Sequence, residues 1–397
     1  MVNIMLGRSV RLGRYRLASP VKRVGAVVID YPYIDGHFAV DFYGSDGIRT
    51  ASLVSDKQNS PVISAEFELN QNGCAQFKLV LAKKHGIAVA YNQRIDIRLF
   101  GDQQPWYSGY IQVRPVEGTT AETLEYSGYG FFQQCSGVIV NATYSNTEIS
   151  QIVKSIVRTY IEPNTGALYA SDKIYSTGYT ATGLKFDHVT AKEALSQLAE
   201  FAANFIYGVD ETRDVFFKQL ITEINENSRF WVGHHIEKFL PEEDIETVVN
   251  YVYVQNGDSN VVYETGDAAS IAAYGLRGAV LTIPSAVENV DAVQWGNSQL
   301  ASLKDPKRTA KVDGIKPDIL RRKIKPEGMA RITTYDGSSN YDYPIQKVKY
   351  KISSSGITMT MELGEYTKGL DQFILQLTRD VKNAELLQRM SSAGSSS

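Results

Sequence analysis

The chain has few of the residues on which most catalytic and metal sites depend. Only two of its 397 residues are cysteine and five are histidine. Cys74 and Cys135 form no CxxC pattern and have no histidine at ligand spacing, so we predict buried free thiols. No apolar run is long enough to span a bilayer, and the basic N-terminus lacks the apolar segment of a secretory signal. We therefore expect no stable membrane insertion.

Motifs of the common nucleotide-binding and hydrolytic folds are also missing. There is no G-x-S-x-G, no P-loop and no G-x-G-x-x-G. His234 and His235 lie near Glu237, but adjacent residues of a strand face opposite sides, so the imidazoles could not easily share a metal. The acids Glu242-Glu243-Asp244 are typical of a solvated turn. We predict no catalytic residue, no cofactor and no metal. Glycosidases use a pair of carboxylates that need not be close in sequence, so a hydrolase stays an alternative function.

Length and charge describe a multidomain protein without general affinity for nucleic acid. A chain of this length suits roughly two to four domains. The net charge is -3, while 24 tyrosines and 31 glycines favour β structure and turns. Residues 1–23 contain six basic and no acidic side chains. We interpret them as a solvated or subunit-contacting arm in preference to a nucleic-acid contact.

The stretch from Gln93 to Phe132 predicts an antiparallel meander. Ile95, Ile97 and Leu99 alternate with polar residues, which indicates a strand with one buried face and one wet face. Turns follow at Gly101 and Gly118. Other predicted strands before Val140 are Val24–Tyr33, His37–Tyr43, Ile63–Leu69 and Ala75–Lys83, with an Asp35-Gly36 turn between the first two and a loop over Ser45–Ser60. This number of strands suits a small barrel without free edges.

Helical signals begin near Ser145. Capping boxes at Ser145–Glu148 and Thr190–Glu193 each precede an apolar stripe of helical spacing. A hairpin then spans Asn204–Gly208 and Asp214–Gln219. Residues 141–228 therefore form a predicted α+β module between two β regions.

Strand signals return after this module. The predicted strands are Arg229–Val232, Thr247–Gln255, Gly278–Ile283, Arg308–Asp313, Met329–Tyr335, Tyr343–Ser353 and Gly356–Leu363. A third capping box, Ser285–Glu288, starts a helix over 286–304 whose stripe includes Val287, Val290, Val293 and Leu300, and Gly257–Tyr274 is interpreted as a loop. Leu370, Ile374, Leu377, Val381 and Ala384 form a heptad-like seam over 369–390, either docked on the chain's own domain or self-associating. Residues 391–397 are a flexible tail.

The order of these parts, with three short strings, resembles a known family. The strings are WYSGYI at 106–111, TAKEALSQLAEF at 190–201 and IQKVKYKISSSGITMTMELG at 345–364. They are similar to the baseplate hub proteins of tailed bacteriophages, which are related to late-control proteins and to the N-terminal part of type-six secretion spike proteins. The likeness covers roughly Val24 to Glu365.

The resemblance implies a β-rich α+β fold with two tail-tube-like β-barrel domains, over 24–140 and 229–368. Three chains would form a homotrimeric ring whose six barrels match a six-fold tail tube to a three-fold spike or fibre, with DNA passing through. Implied partners are a tail tube or distal tail protein ring, a separate spike or fibre protein and a tape measure protein, in the baseplate of the virion tail. The alternatives are a tail-associated cell-wall hydrolase, a carbohydrate-binding adhesion protein using aromatics at Trp106-Tyr107 or Tyr126–Phe132, or the hub of a phage-tail-like injection or secretion machine.

Overall fold

A computed structural model describes most of the chain between Phe38 and Gly364. The described residues are 38–54, 61–116, 121–202, 205–256, 260–284, 291–315, 322–353 and 356–364. Several predicted features lie outside them: the arm 1–23, the strand Val24–Tyr33 with its turn, the Ser285 capping box, the helix 369–390 and the tail 391–397.

Strands dominate the described residues, which confirms a β-rich α+β protein. The strands are β1 Phe38–Tyr43, β2 Arg49–Val54, β3 Val62–Asn70, β4 Gly73–Ala82, β5 Arg94–Leu99, β6 Tyr107–Val113, β7 Thr123–Gly130, β8 Ile139–Glu148, β9 Thr180–Thr190, β10 Phe205–Val209, β11 Val215–Gln219, β12 Ile224–Trp231, β13 Lys238–Asp244, β14 Tyr251–Gln255, β15 Val261–Gly266, β16 Gly278–Thr282, β17 Lys307–Asp313, β18 Met329–Thr333, β19 Asn340–Ser353 and β20 Gly356–Gly364. The helices are α1 Ile149–Ile156, α2 Ala191–Ala199, α3 Ala268–Tyr274 and α4 Ala292–Leu303. None of the helices described is long and apolar enough to cross a membrane.

One large sheet contains both predicted barrel regions. Its main path runs β13-β17-β20-β19-β3-β4-β7-β6-β5-β1-β2, and β10, β11, β12 and β18 branch from it to give 15 strands. The predicted meander is confirmed as β5-β6-β7, antiparallel throughout. The two regions join where β19 pairs with β3. Over the described strands this path does not close on itself, so separate barrels are not confirmed.

A single apolar core lies under this sheet. Phe67 from β3 stacks on Tyr350 from β19 at 5.0 Å between ring centroids, and Trp106 meets the same Tyr350 ring edge-on at 5.3 Å. Trp106 and Tyr107 are 0% exposed. These two aromatics therefore pack the core and offer no surface to a sugar, because their rings are enclosed by residues of both β regions.

The predicted module has a second core of its own. The two-stranded sheet β8-β9, α1, α2 and the β10-β11 hairpin supply most of its buried residues. Trp295 and Leu300 of α4 join this core, together with Val252 and Val254 of β14. Helix α4 thus packs on the module, although its sequence position suggested an insert in the second β region. The predicted domain boundaries stay a prediction.

Of the predicted helix caps at Thr190 and Ser145, the first is confirmed and the second is wrong. Thr190 caps α2, since its side chain accepts a hydrogen bond from the Glu193 N–H at 3.1 Å. The Ser145 capping box is wrong, because Ser145 lies within β8 opposite Gly183. Glu148 itself caps α1 by accepting from the Ser150 N–H at 2.8 Å. Pairing with β9, a strand not predicted, keeps β8 extended up to that residue.

Two predicted loops and one predicted turn contain regular structure. Ser45–Ser60 includes the strand β2, and Gly257–Tyr274 includes β15 and α3. The acids Glu242-Glu243-Asp244 lie on the edge strand β13, where Glu243 is opposite Arg308 and Asp244 is opposite Lys307 of β17. Cross-strand partners explain the three missed strands β2, β13 and β15, because they pair with residues that a local pattern assigns to loops or turns. The helix α3 is capped by Asp267, whose side chain accepts a hydrogen bond from the Ser270 N–H at 2.9 Å. Val293, predicted in the buried stripe of α4, is 49% exposed.

Replacing Tyr350 by Phe is expected to destabilise the fold by about 2 kcal/mol. The Tyr350 hydroxyl accepts from the Ile324 N–H at 3.1 Å and donates to the Ile324 carbonyl at 3.0 Å, at a fully buried position. Phe would leave both backbone groups unpaired. Urea denaturation measures the loss. The matched control is Tyr341→Phe, at a ring that is 43% exposed, and an equal effect of both substitutions would contradict this role.

Candidate functional site

The residues singled out as possible ligands do not form a site. His234 and His235 lie in a turn after β12, with ring centroids 4.6 Å apart. The argument that they face opposite sides of a strand is therefore wrong. Among the residues that the structure describes, no group of three or more His, Cys, Asp or Glu side chains is placed to hold a metal. The prediction that the chain lacks catalytic residues and cofactors stays a prediction.

Both cysteines are buried free thiols, as predicted. Burial raises the pKa of Cys135 to about 12 and also raises the pKa of Cys74. A thiol with a raised pKa is mostly protonated at neutral pH and is a poor nucleophile. Neither cysteine is therefore an attractive catalytic group.

The most elaborate polar arrangement is a junction where three parts of the chain meet. We call it the three-way junction, and it comprises the β3-β4 turn (Asn70–Gly73), the β10-β11 turn (Val209–Asp214) and the loop 323–327. The Val209 N–H donates to the Asn72 carbonyl at 3.1 Å. The Asn72 side-chain amide donates to the Tyr207 carbonyl at 2.6 Å. One backbone bond and one side-chain bond thus attach the β10-β11 hairpin to the β3-β4 turn.

Two glycines allow this close approach. A Cβ added to Gly208 would lie 2.0 Å from the Asn72 oxygen, and one added to Gly73 would lie 1.9 Å from the Val209 oxygen. Gly73 also has a φ of +96°, in the region that favours glycine. The two turns can touch only because neither position carries a side chain.

Ion pairs connect the third segment of the junction. Glu211, at the tip of the β10-β11 turn and 9% exposed, forms an ion pair with Lys325 and lies 3.5 Å from Lys323. The Lys323 ammonium also donates to the Pro105 carbonyl in the β5-β6 turn at 2.9 Å. Lys218 of β11 binds Glu327 at 2.7 Å. The module is thus joined to the second β region by these ion pairs, and Lys323 extends the contact to the first β region.

The β10-β11 turn is also held by contacts that do not involve the loop 323–327. Asp210 accepts hydrogen bonds from the N–H groups of Thr212 at 2.9 Å and Asp214 at 3.0 Å. Lys173 binds Asp210 at 2.5 Å and Asp214 at 2.7 Å. These contacts fix the conformation of the turn that carries Glu211.

The junction is a packed joint and has little room for a ligand. Its cavity is about 30 Å³, lined by Gln71, Ile206 and Phe216 among others. A cavity of that size holds about one water molecule, whereas small-molecule sites have volumes of about 300–1,000 Å³. Its role is therefore to hold the three segments together.

A second polar cluster lies on the face of β5 that the sequence predicted to be wet. Asp96 is 2% exposed and Asp41 is 1% exposed. Ser108 donates to Asp96 at 2.6 Å, and Ser52 donates to Asp41 at 2.6 Å. Arg98 forms an ion pair with Asp41. Because the carboxylates have partners on neighbouring strands, they can be buried, and the prediction of a wet face is wrong here.

The strands β3 and β19 present a third arrangement, a row of alternating charges on the large sheet. We call it the lysine–glutamate row, and it comprises Glu66, Glu68, Lys347, Lys349 and Lys351. Glu66 lies 2.9 Å from Lys349 and 3.3 Å from Lys351, and Glu68 lies 3.3 Å from Lys347. The hydrogen bond from Lys349 lowers the pKa of Glu66 despite some burial. Each lysine of the row therefore has a nearby carboxylate.

Known proteins resemble this chain in structure, but none was found by sequence. No protein-family model and no curated protein matches it. Its fold is similar to that of the 43 kDa tail protein of prophage MuSo2 from Shewanella oneidensis, with a TM-score of 0.59, 11% identity, and coverage of 82% of this chain and 97% of that one. A tail protein from Neisseria meningitidis gives a TM-score of 0.57 at 11% identity, covering 83% and 97%. The prophage tail protein gp18 from Listeria monocytogenes gives 0.54 at 10% identity, covering 87% and 99%. The chain thus has the fold of phage tail proteins.

Replacing Gly208 by Ala is expected to destabilise the protein by about 1–3 kcal/mol, since the new methyl group would meet a backbone oxygen that cannot rotate away. Chemical denaturation and limited proteolysis of the β10-β11 turn report the effect. Gly137→Ala is the matched control, because no heavy atom lies within 4 Å of its added Cβ. A Gly208 variant as stable as this control would contradict the close approach.

The three-way junction is expected to weaken in acid. Burial raises the pKa of Glu327, but the hydrogen bond and charge of Lys218 outweigh it, so this pKa lies below its usual value. A carboxylate with a lowered pKa stabilises the fold above its unfolded-state pKa of about 4.3, and this stabilisation is lost as the pH falls through the folded-state value. In denaturation at pH 6 and pH 3, Glu327→Gln should therefore lose less stability than the unsubstituted chain.

The control for this pH effect is Glu125→Gln, which removes an exposed carboxylate paired with Lys78. It should keep the full pH dependence, because exposed ion pairs contribute little. If both variants followed the same pH curve, Glu327 would have no special part in the junction.

Proposed function

We propose that this protein is the structural hub of a phage tail baseplate. In this role three chains form a ring that adapts a six-fold tail tube to a three-fold spike or fibre, and DNA passes through its centre. The observation that carries the proposal is the similarity in fold to three tail proteins, each over more than four fifths of this chain. The function rests on the fold, since the identity is about a tenth.

The architecture supports a rigid adaptor. A hub with two tube-like regions per chain must hold them in a constant relation, so that three chains present six equivalent surfaces. Here β3 pairs with β19 over seven residue pairs, from Lys347↔Asn70 to Ser353↔Ser64. The three-way junction adds a second connection through the module. These contacts suit a subunit that keeps its shape within a ring.

The lysine–glutamate row suits a surface that DNA passes without binding. Phosphate binding depends on lysines that are free to replace counterions. In the row, lysines 347, 349 and 351 each lie within 3.5 Å of a carboxylate. We place this face toward the channel of the ring, where its balanced charge would let DNA slide.

The partners follow from the same role. They are two further copies of the chain, a tail tube or distal tail protein ring on one side, a spike or fibre protein on the other, and a tape measure protein within the tube. The site of action is the baseplate of the virion tail. A hub in a phage-tail-like injection or secretion machine would use the same fold and the same contacts.

A hydrolase or an adhesion protein is the competing class. The adhesion hypothesis loses most of its support, because Trp106 and Tyr107 are buried, as are Tyr126, Phe131 and Phe132 of the second aromatic region. Tyr129 of that region is 40% exposed. Purified protein added to a peptidoglycan suspension distinguishes a hydrolase from a hub, since a hub leaves the turbidity unchanged. Binding to a glycan array would favour adhesion.

The decisive test of the hub is the mass of the purified protein in solution, measured by light scattering. We expect a trimer of the full chain. A second sample that ends at Gly369 locates the contacts: a trimer there assigns them to the β regions, and a monomer assigns them to the residues after Gly369. A full-length chain that is monomeric at every concentration would contradict the ring.

A further inference from the structure

One buried polar group of the three-way junction has no partner in the described part of the chain. Gln71, in the β3-β4 turn, is 4% exposed and lines the cavity of the junction. Its side-chain nitrogen Nε2 is enclosed, and none of the described residues accepts a hydrogen bond from it. Buried amide groups are almost always hydrogen-bonded, because leaving one unpaired is costly. The Gln71 amide therefore requires an acceptor from outside the described residues.

The other amide side chains of the same turn are paired. The Asn70 side-chain oxygen accepts from the Asn72 N–H at 2.9 Å. The Asn72 side-chain amide donates to the Tyr207 carbonyl at 2.6 Å. The turn thus uses two of its three amide side chains for contacts within the protein, and only the Gln71 amide is left for a ligand in the cavity.

Two carboxylates that line the same cavity have acceptor capacity to spare. Glu211 contacts Lys325 and Lys323 through its Oε1 atom. Glu327 binds Lys218 through its own Oε1 at 2.7 Å. A carboxylate can accept hydrogen bonds on both oxygens. Each of these groups therefore keeps Oε2 as an acceptor for a ligand that can donate.

The charges and the size of the cavity select a neutral ligand as small as water. Glu211 and Glu327 would repel an anion, and Lys218 and Lys325, which also line the cavity, would repel a cation. A volume of about 30 Å³ holds about one water molecule. Water can accept from the Gln71 amide and also donate to carboxylates. It therefore satisfies the amide and the acids together, which neither an anion nor a cation does.

We propose that one ordered water molecule occupies this cavity and joins all three segments of the junction. It accepts a hydrogen bond from Gln71 Nε2 and donates to Glu211 and Glu327. These groups belong to the β3-β4 turn, the β10-β11 turn and the loop 323–327, respectively. Buried waters typically make about three hydrogen bonds to polar groups that are otherwise unsatisfied. The water thus connects the module to both β regions at a single point.

A crystal structure of the full chain, at a resolution that shows ordered waters, tests the site directly. We expect a density peak about 2.7–3.2 Å from Gln71 Nε2 and within similar reach of both carboxylates. A second crystal soaked in rubidium bromide distinguishes water from ions, because both ions of this salt scatter anomalously. An anomalous peak in the cavity would overturn the proposal, as would a cavity without density or one filled by a side chain.

Urea denaturation of Gln71→Met tests the same site in solution. Methionine has nearly the length of glutamine but no amide, so it removes the hydrogen bond to the water while leaving the packing similar. If the water is present, the midpoint moves to a lower urea concentration, because a bond is lost. If the amide has no partner, the midpoint moves to a higher urea concentration, because an unpaired buried group is removed. The sign of the shift therefore decides between the two.

The matched control is Gln104→Met, at an exposed glutamine in the β5-β6 turn. It should leave the urea midpoint unchanged, since no buried amide is lost. An unchanged or raised midpoint for Gln71→Met would overturn the proposal. The water lies within one chain, so its presence and the trimeric ring can each fail their tests independently.

Discussion

The pairing of β3 with β19 is the interaction on which the rest of the structure depends. It brings an N-terminal strand and a C-terminal strand into one sheet, and Phe67 stacks on Tyr350 directly beneath it. Without this pair the apolar undersides of the two β regions would have no common core to bury. The module then needs only short contacts at the three-way junction, because the surfaces that it joins are already held in place.

The buried charged groups also depend on partners from other parts of the chain. Asp41 and Asp96 are tolerated inside because Ser52, Ser108 and Arg98 reach them from neighbouring strands. At the junction, Glu211 is held by lysines that lie far from it in sequence. Each of these groups would be costly to bury alone, so the polar clusters favour one arrangement of the strands over others. A hub that must present identical surfaces in a ring would benefit from such a unique arrangement.

The elements predicted correctly are those whose signal is local. The β5-β6-β7 meander, the β10-β11 hairpin and the Thr190 cap of α2 are formed by near neighbours in sequence, so alternation, turn residues and capping patterns were sufficient to find them. The strand β9 was missed because its partner β8 lies on the other side of α1. The strands β2 and β15 pair with the preceding strands β1 and β14, but they were missed because their own sequences do not alternate clearly between apolar and polar residues. The three-way junction was not predicted at all. In the sequence, only Gly73 and Gly208 indicated this junction. A glycine permits a close backbone contact but does not identify the segment that makes it.

The sequence by itself determined the β-rich class, the β5-β6-β7 meander and the buried free cysteines. These follow from composition and short-range periodicity, which any local window contains. Tertiary structure alone decided that the two β regions share one sheet, that α4 joins the module, and that the polar face of β5 is buried. The physical reason is that strand partners, ion pairs and close backbone approaches join residues that are separated along the chain, from Asp96 and Ser108 to Pro105 and Lys323, and only the folded chain specifies which of them meet.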